Sequence, residues 1–175
     1  MQRKNYLFMA VLLASVCSVS LFGQTKARFV SQDGGFSIDL PREGFEGAQP
    51  ISDLSSGAGS FAWATENGRF TVSYVGHAFP IDHSDSSLTA LADAVAAGQS
   101  DTQAKVIGRR AFNLSGNPAI ELRIERRGAS AINRFILVKN ILYVLTVDWV
   151  QGQNGKMAEK ILDSFELVDE KEIVA

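Results

Sequence analysis

Cysteine occurs once in these 175 residues, histidine twice and proline four times. The sole thiol, Cys17, sits inside an apolar N-terminal stretch, so a disulfide scaffold is excluded. Removal of that stretch also excludes thiol nucleophiles and thiolate metal sites. No Gly-x-Ser-x-Gly elbow is present, which argues against a serine hydrolase of that design. Gly152-Gln153-Asn154-Gly155-Lys156 lacks phosphate-loop spacing and its Gly-Lys-Ser/Thr ending, and reads as a turn opening a helix. No internal repeat, low-complexity tract or interdomain linker interrupts the chain.

What is present begins with a leader. Arg3 and Lys4 precede an apolar run from Tyr6 to Leu13 and small residues to Leu21, the pattern of a secretory signal peptide over residues 1–23. Cleavage is expected after Ser20 or Gly23. Val16, where a lipoprotein signal has a small residue, argues against lipid anchoring through Cys17. Residues 24–175 are then expected to form a single exported domain, periplasmic or extracellular, with no transmembrane span after processing. Removing Arg3 and Lys4 leaves 15 basic against 19 acidic groups, a net charge of -4 that does not fit a nucleic-acid partner.

Alternation and turn residues place the elements. Ala27 to Gln32 and Phe36 to Leu40 predict a hairpin about Asp33-Gly34-Gly35, and Ser60 to Thr65 with Phe70 to Gly76 a second about Asn67-Gly68. The segments 42–59 and 77–87 read as connections. Leu88, Leu91, Ala92, Val95 and Ala96 form a helical stripe, stopped by Gly98. Val106 to Leu114, Ala119 to Arg126, Ala131 to Lys139 and Ile141 to Trp149 read as strands, the last two the most apolar of the mature chain. Glu121, Arg123 and Glu125 share a parity, which predicts a wet, salt-bridged face on their strand. A final helix from Gln153 or Asn154 buries Met157, Ile161, Leu162 and Phe165. The expectation is an α+β fold of six to eight mainly antiparallel strands shielded by two helices.

Several of these stretches carry a family resemblance. Gly35-Phe36-Ser37-Ile38-Asp39-Leu40-Pro41, the alanine-rich helix and Gly116-Asn117-Pro118-Ala119-Ile120-Glu121 are among them. Ile141-Leu142-Tyr143-Val144-Leu145-Thr146 and Ile161-Leu162-Asp163-Ser164-Phe165 complete the set. Over most of residues 27–168 the chain resembles the PsbP/Mog1-like proteins, in particular their bacterial secreted or lipoprotein members. Phe45 stands where such proteins usually have Trp. The resemblance implies a single-domain α/β/α sandwich around an antiparallel sheet. Relatives include an extrinsic photosystem subunit and a nuclear-transport cofactor, which act by binding macromolecules. The matched motifs are fold determinants, so no functional residue is carried over.

Two groups of residues are candidate sites. His77, Asp82, His83 and Asp85 fall close together and have the chemistry to hold a divalent metal, the only cofactor the sequence raises, although their spacing matches no metal motif. Between Lys105 and Lys139 eight basic residues face two acidic ones, and Arg109, Arg110, Arg123, Arg126, Arg127 and Arg134 are candidates for an electrostatic partner-binding patch. No nucleophile, base and orienting group form a recognisable catalytic set, so no catalytic residue is assigned. The leading expectation is a non-enzymatic extracytoplasmic binding or assembly-support module. Its expected partner is an envelope or secreted protein, with anionic surface material as a second possibility. A secreted small-ligand or divalent-metal-binding protein is the alternative.

Overall fold

A computed structural model describes residues 26–41, 51–55, 57–65, 68–77, 85–99, 104–152 and 155–168. The signal peptide expectation lies outside these residues. Among the described residues the strands are β1 (Lys26–Ser31), β2 (Phe36–Pro41), β3 (Ile51–Ser55), β4 (Ala58–Thr65), β5 (Gly68–Gly76), β6 (Lys105–Leu114), β7 (Asn117–Arg126), β8 (Ala129–Val138), β9 (Ile141–Val150) and β10 (Glu166–Leu167). The helices among the described residues are α1 (Asp85–Gln99) and α2 (Gly155–Asp163). All strand pairs are antiparallel, in a seven-stranded sheet ordered β3-β4-β5-β9-β8-β7-β6 and a three-stranded sheet ordered β1-β2-β10.

The meander from β6 to β9 is built by tight turns. Leu114 pairs with Asn117, Arg126 with Ala129 and Val138 with Ile141, so each connection has only two residues. At the first, Ser115 and Gly116 both take positive φ (51° and 86°), the geometry whose twist matches that of the flanking strands. Asn113 Oδ1 accepts the Gly116 N–H at 2.7 Å and fixes the turn. Pro118 lies within β7, opposite Asn113, rather than in the turn.

Each face of the large sheet is covered by its own layer. α1 packs on β7 and β8, where Leu88 and Ala92 meet Ile120, Leu122, Ile124, Ala131, Phe135 and Leu137. On the opposite face lie the three-stranded sheet and α2, around Phe36, Phe61, Trp63, Phe70, Tyr143, Leu145, Ile161, Leu162 and Phe165. The expected α/β/α sandwich is what the chain adopts, with the small sheet sharing one outer layer. β8 and β9 are side by side at its centre. The buried Tyr143 hydroxyl donates to the Gly34 carbonyl at 2.8 Å and ties the first hairpin to the sheet. Ser164 Oγ accepts the Asp39 N–H at 3.0 Å and ties β2 to the end of α2.

Some expectations require correction. Segment 51–55 is an edge strand, hidden in the sequence because Ile51 and Leu54 are three residues apart and alternate with nothing. α1 runs through Gly98 to Gln99; a single glycine weakens a helix by about 1 kcal/mol without ending it. Met157 is exposed, and Ala158 takes its place in the buried stripe of α2. Gly68 belongs to β5 rather than to a turn. A Cβ there would lie 2.4 Å from the Asp148 carbonyl oxygen, so close approach of β9 requires the glycine.

Candidate functional site: an arginine-rich end of the sheet

The largest correction concerns Glu121. The face predicted to be wet is only partly so: beside α2 Glu121 is 1% exposed, whereas the Arg123 side chain keeps 42% of its exposure and Glu125 is exposed. An isolated carboxylate in that position would be costly, and the chain supplies guanidinium groups on three sides. Glu121 pairs across the ladder with Arg110 on β6 and with Arg134 on β8, so all three side chains point to the same face. Arg134 Nε donates to Glu121 Oε2 at 2.7 Å, Arg110 Nη2 to the same oxygen at 3.2 Å, and Arg123 Nε to Oε1 at 3.1 Å.

The helix completes the network. Glu159 and Asp163 stand one turn apart on α2, the spacing that puts both on one side of a helix. Arg123 Nη1 reaches Glu159 Oε1 at 2.8 Å, and Arg134 Nη2 reaches Asp163 Oδ1 at 2.7 Å. Phe112 offers its ring to the guanidinium carbons of Arg110 and Arg134, at 5.2 and 5.4 Å from its centroid. Three cations and three carboxylates therefore balance. Burial pushes the Glu121 carboxyl up, but the Arg134 hydrogen bond and the charges of Arg134, Arg110 and Arg123 outweigh it and hold the group below the ordinary glutamate range. A carboxylate so engaged at both oxygens is a poor general acid or base near neutral pH. Its role is to hold arginines in position.

The six candidate arginines do not form one surface. Arg110, Arg123 and Arg134 surround Glu121 on the α2 side, with Arg134 buried and Arg110 the most open at 57% side-chain exposure. Arg109 points to the other face, where it donates to Asp93 Oδ1 at 2.7 Å and to the Thr89 carbonyl at 3.0 Å on α1. Arg126 also faces that side and lies 3.7 Å from Asp148. Arg127 is exposed in the turn between β7 and β8. Consecutive positions on a strand point to opposite faces, and the register sets Arg109 beside Leu122 rather than Arg123, which separates Arg109 from Arg123. The charge excess was visible in the sequence, whereas Phe112, Glu159, Asp163 and Asp93 were missed. The four-residue spacing of Glu159 and Asp163 was the available signal.

Of the candidate metal ligands, only His77 has a described side chain; Asp82, His83 and the side chain of Asp85 lie outside the described residues. His77 is exposed, and its backbone exchanges hydrogen bonds with Asn140 (2.8 Å from its N–H to the Asn140 carbonyl, 2.8 Å from Asn140 Nδ2 to its carbonyl). No group of three or more potential ligands with metal-holding geometry occurs among the described residues.

At the outer boundary of this end runs β6. It has one neighbour in the seven-stranded order, and no described strand pairs with its other side. Val106 and Ile107 are exposed, Ile107 at 51%. The register slips between Val106 and Gly108, so Ile107 forms a bulge, and pairing with β7 is regular from Gly108 to Leu114.

The solution structure of cyanobacterial PsbP (CyanoP) from Synechocystis superimposes with a TM-score of 0.58, covering 87% of this chain and 99% of that one at 14% identity. The fold is PsbP-like. A Bacteroides thetaiotaomicron protein matches at a TM-score of 0.45 and 14% identity, over 85% of this chain and 50% of its own. A Pseudomonas aeruginosa protein of unknown function, described as a putative regulator, matches at 0.43 and 16% identity, over 81% and 95%. No family profile matches the sequence, and no curated protein does. At these identities the PsbP-like likeness speaks to fold, and function must come from the site.

Proposed function

We propose that this chain is a non-enzymatic, extracytoplasmic binding or assembly-support module that acts through protein–protein contacts at the β6 end of its large sheet. The observation that supports this reading is the concentration there of exposed cationic and apolar groups on rigid backbone. Lys105, Val106, Ile107, Arg109 and Arg110 are all exposed on one edge strand. Behind them Glu121 and Phe112 restrain Arg110 while Asp93 and the Thr89 carbonyl restrain Arg109, so less side-chain entropy remains to be lost when a partner binds. Arginine and exposed apolar residues together are the composition of binding surfaces, and a charged rim steers encounter with an oppositely charged partner. Export rests on the leader pattern of residues 1–23.

Affinity capture of the exported chain from its native envelope, after in situ crosslinking, tests the reading. A reproducible partner should be recovered with wild type and lost with the Arg109→Glu/Arg110→Glu double variant. Recovery of the same partner by that variant would place the contact elsewhere and overturn the assignment of this end.

A further inference from the structure

From the edge geometry we infer that β6 is a strand-addition site, which takes an extended acidic segment of another protein as an eighth strand beside Gly108–Leu114. The inference rests on the binding reading above and specifies its mode. An unpaired edge offers a row of backbone donors and acceptors, and exported proteins are exposed to other chains that can complete it. Native edges are blunted by bulges and charges. Here the bulge is confined to Ile107, while Gly108 to Leu114 keeps regular pairing and therefore a regular outer row.

The side chains along that row define the occupant. On the α2 side the order is Arg110, Phe112, Leu114; on the α1 side it is Arg109, Ala111, Asn113. Arg110 directs Nη2 to Glu121 and is otherwise largely open. A carboxylate on the incoming strand opposite Arg110 meets a guanidinium already held over the Phe112 ring, and an apolar residue two positions along meets the partly buried Phe112 and Leu114. Acidic and apolar residues in alternation thus satisfy one face. A second copy of this chain is a poor occupant, since antiparallel pairing of Gly108–Leu114 with itself would set Arg109 opposite Asn113 and Arg110 opposite Phe112 and supply neither arginine with a carboxylate. The backbone row accepts an extended strand of any sequence, and the side chains select an acidic one.

A capped synthetic peptide of alternating Glu and Val, titrated into the isotope-labelled exported chain, is the test. Three comparisons are needed: the same peptide N-methylated at alternate residues, a Lys-Val peptide, and Arg110→Gln protein. Strand addition is expected to move amide resonances mainly within residues 105–114, to vanish with N-methylation and with the Lys-Val peptide, and to weaken about tenfold in the Arg110→Gln protein. Equal binding of the N-methylated peptide would mean adhesion by charge alone and would overturn the inference. So would resonance changes centred on another element, or concentration-dependent self-association through β6 without peptide. Partner capture that survives while the peptide mapping fails would refute strand addition and leave the binding reading in place.

Discussion

Rings close one face of the seven-stranded sheet, and branched aliphatics close the other. Between the large sheet and the small one, Phe29 lies 4.9 Å from Trp63 and Trp63 5.3 Å from Phe70, centroid to centroid, while Phe36 stacks on Phe165 at 5.5 Å. Beneath α1, Phe135 is the one ring among the described residues of the cluster, and Leu, Ile and Ala fill the rest. The carboxylates differ in the same sense. Glu121, on the ring-rich face, sits among three arginines and is held ionised. Asp148 lies on the α1 side, and burial pushes its carboxyl above the ordinary range, with Arg126 and Arg69 opposing but not cancelling that rise. Burial alone therefore does not decide a carboxylate's state; the number and approach of its cations does.

Deleting a side chain from each face breaks the comparison most severely. Trp63→Ala removes a stacked, 1%-exposed ring and is expected to cost about 3–5 kcal/mol in chemical denaturation, against about 2–3 kcal/mol for Leu88→Ala under α1. Equal losses would mean that the α1 layer loses more per atom removed, and would deny the ring-rich face the tighter packing. Next comes the charge network. Glu121→Gln keeps the shape but leaves Arg134 and its neighbours without their central anion, an expected loss of about 3 kcal/mol at pH 7. Because the folded Glu121 pKa lies below the ordinary value of about 4.3, its contribution is complete above that pH and disappears as pH falls through the lowered pKa. Stability curves of wild type and Glu121→Gln should thus converge in acid; parallel curves would deny Glu121 this role.

The smallest expected effect has the opposite sign. A raised Asp148 pKa means that ionising the group lowers stability as pH climbs from about 3.9 toward the folded pKa. Asp148→Asn should therefore raise stability at pH 7, by no more than about 0.5 kcal/mol since the side chain is a third exposed. A loss exceeding 1 kcal/mol in a thermal or denaturant melt, at roughly twice that bound, would show that its contact with Arg126 outweighs desolvation.

Much of the architecture was legible because period and punctuation agree. Phe36, Ile38 and Leu40 alternate before Pro41, and the apolar runs of β8 and β9 part at Asn140, where the structure adds Lys139 to the joint. The site was legible only as a count of charges. Neighbouring residues such as Arg109 and Arg110 are indistinguishable in composition, yet strand parity sends one to Asp93 and the other to Glu121.

By itself the amino-acid order determined most of the run of strands and helices, β3 excepted, most of the apolar faces and the basic bias between Lys105 and Lys139, since these depend on local periodicity and on residue type. Only the tertiary structure decided which charges are buried. Whether Glu121, Arg123 and Arg134 meet water or one another depends on where α2 lands, and α2 is placed by contacts with residues far away along the chain: Arg134 with Asp163, and Ser164 with Asp39. Desolvation and Coulomb attraction act through space, so sequence distance carries no information about them.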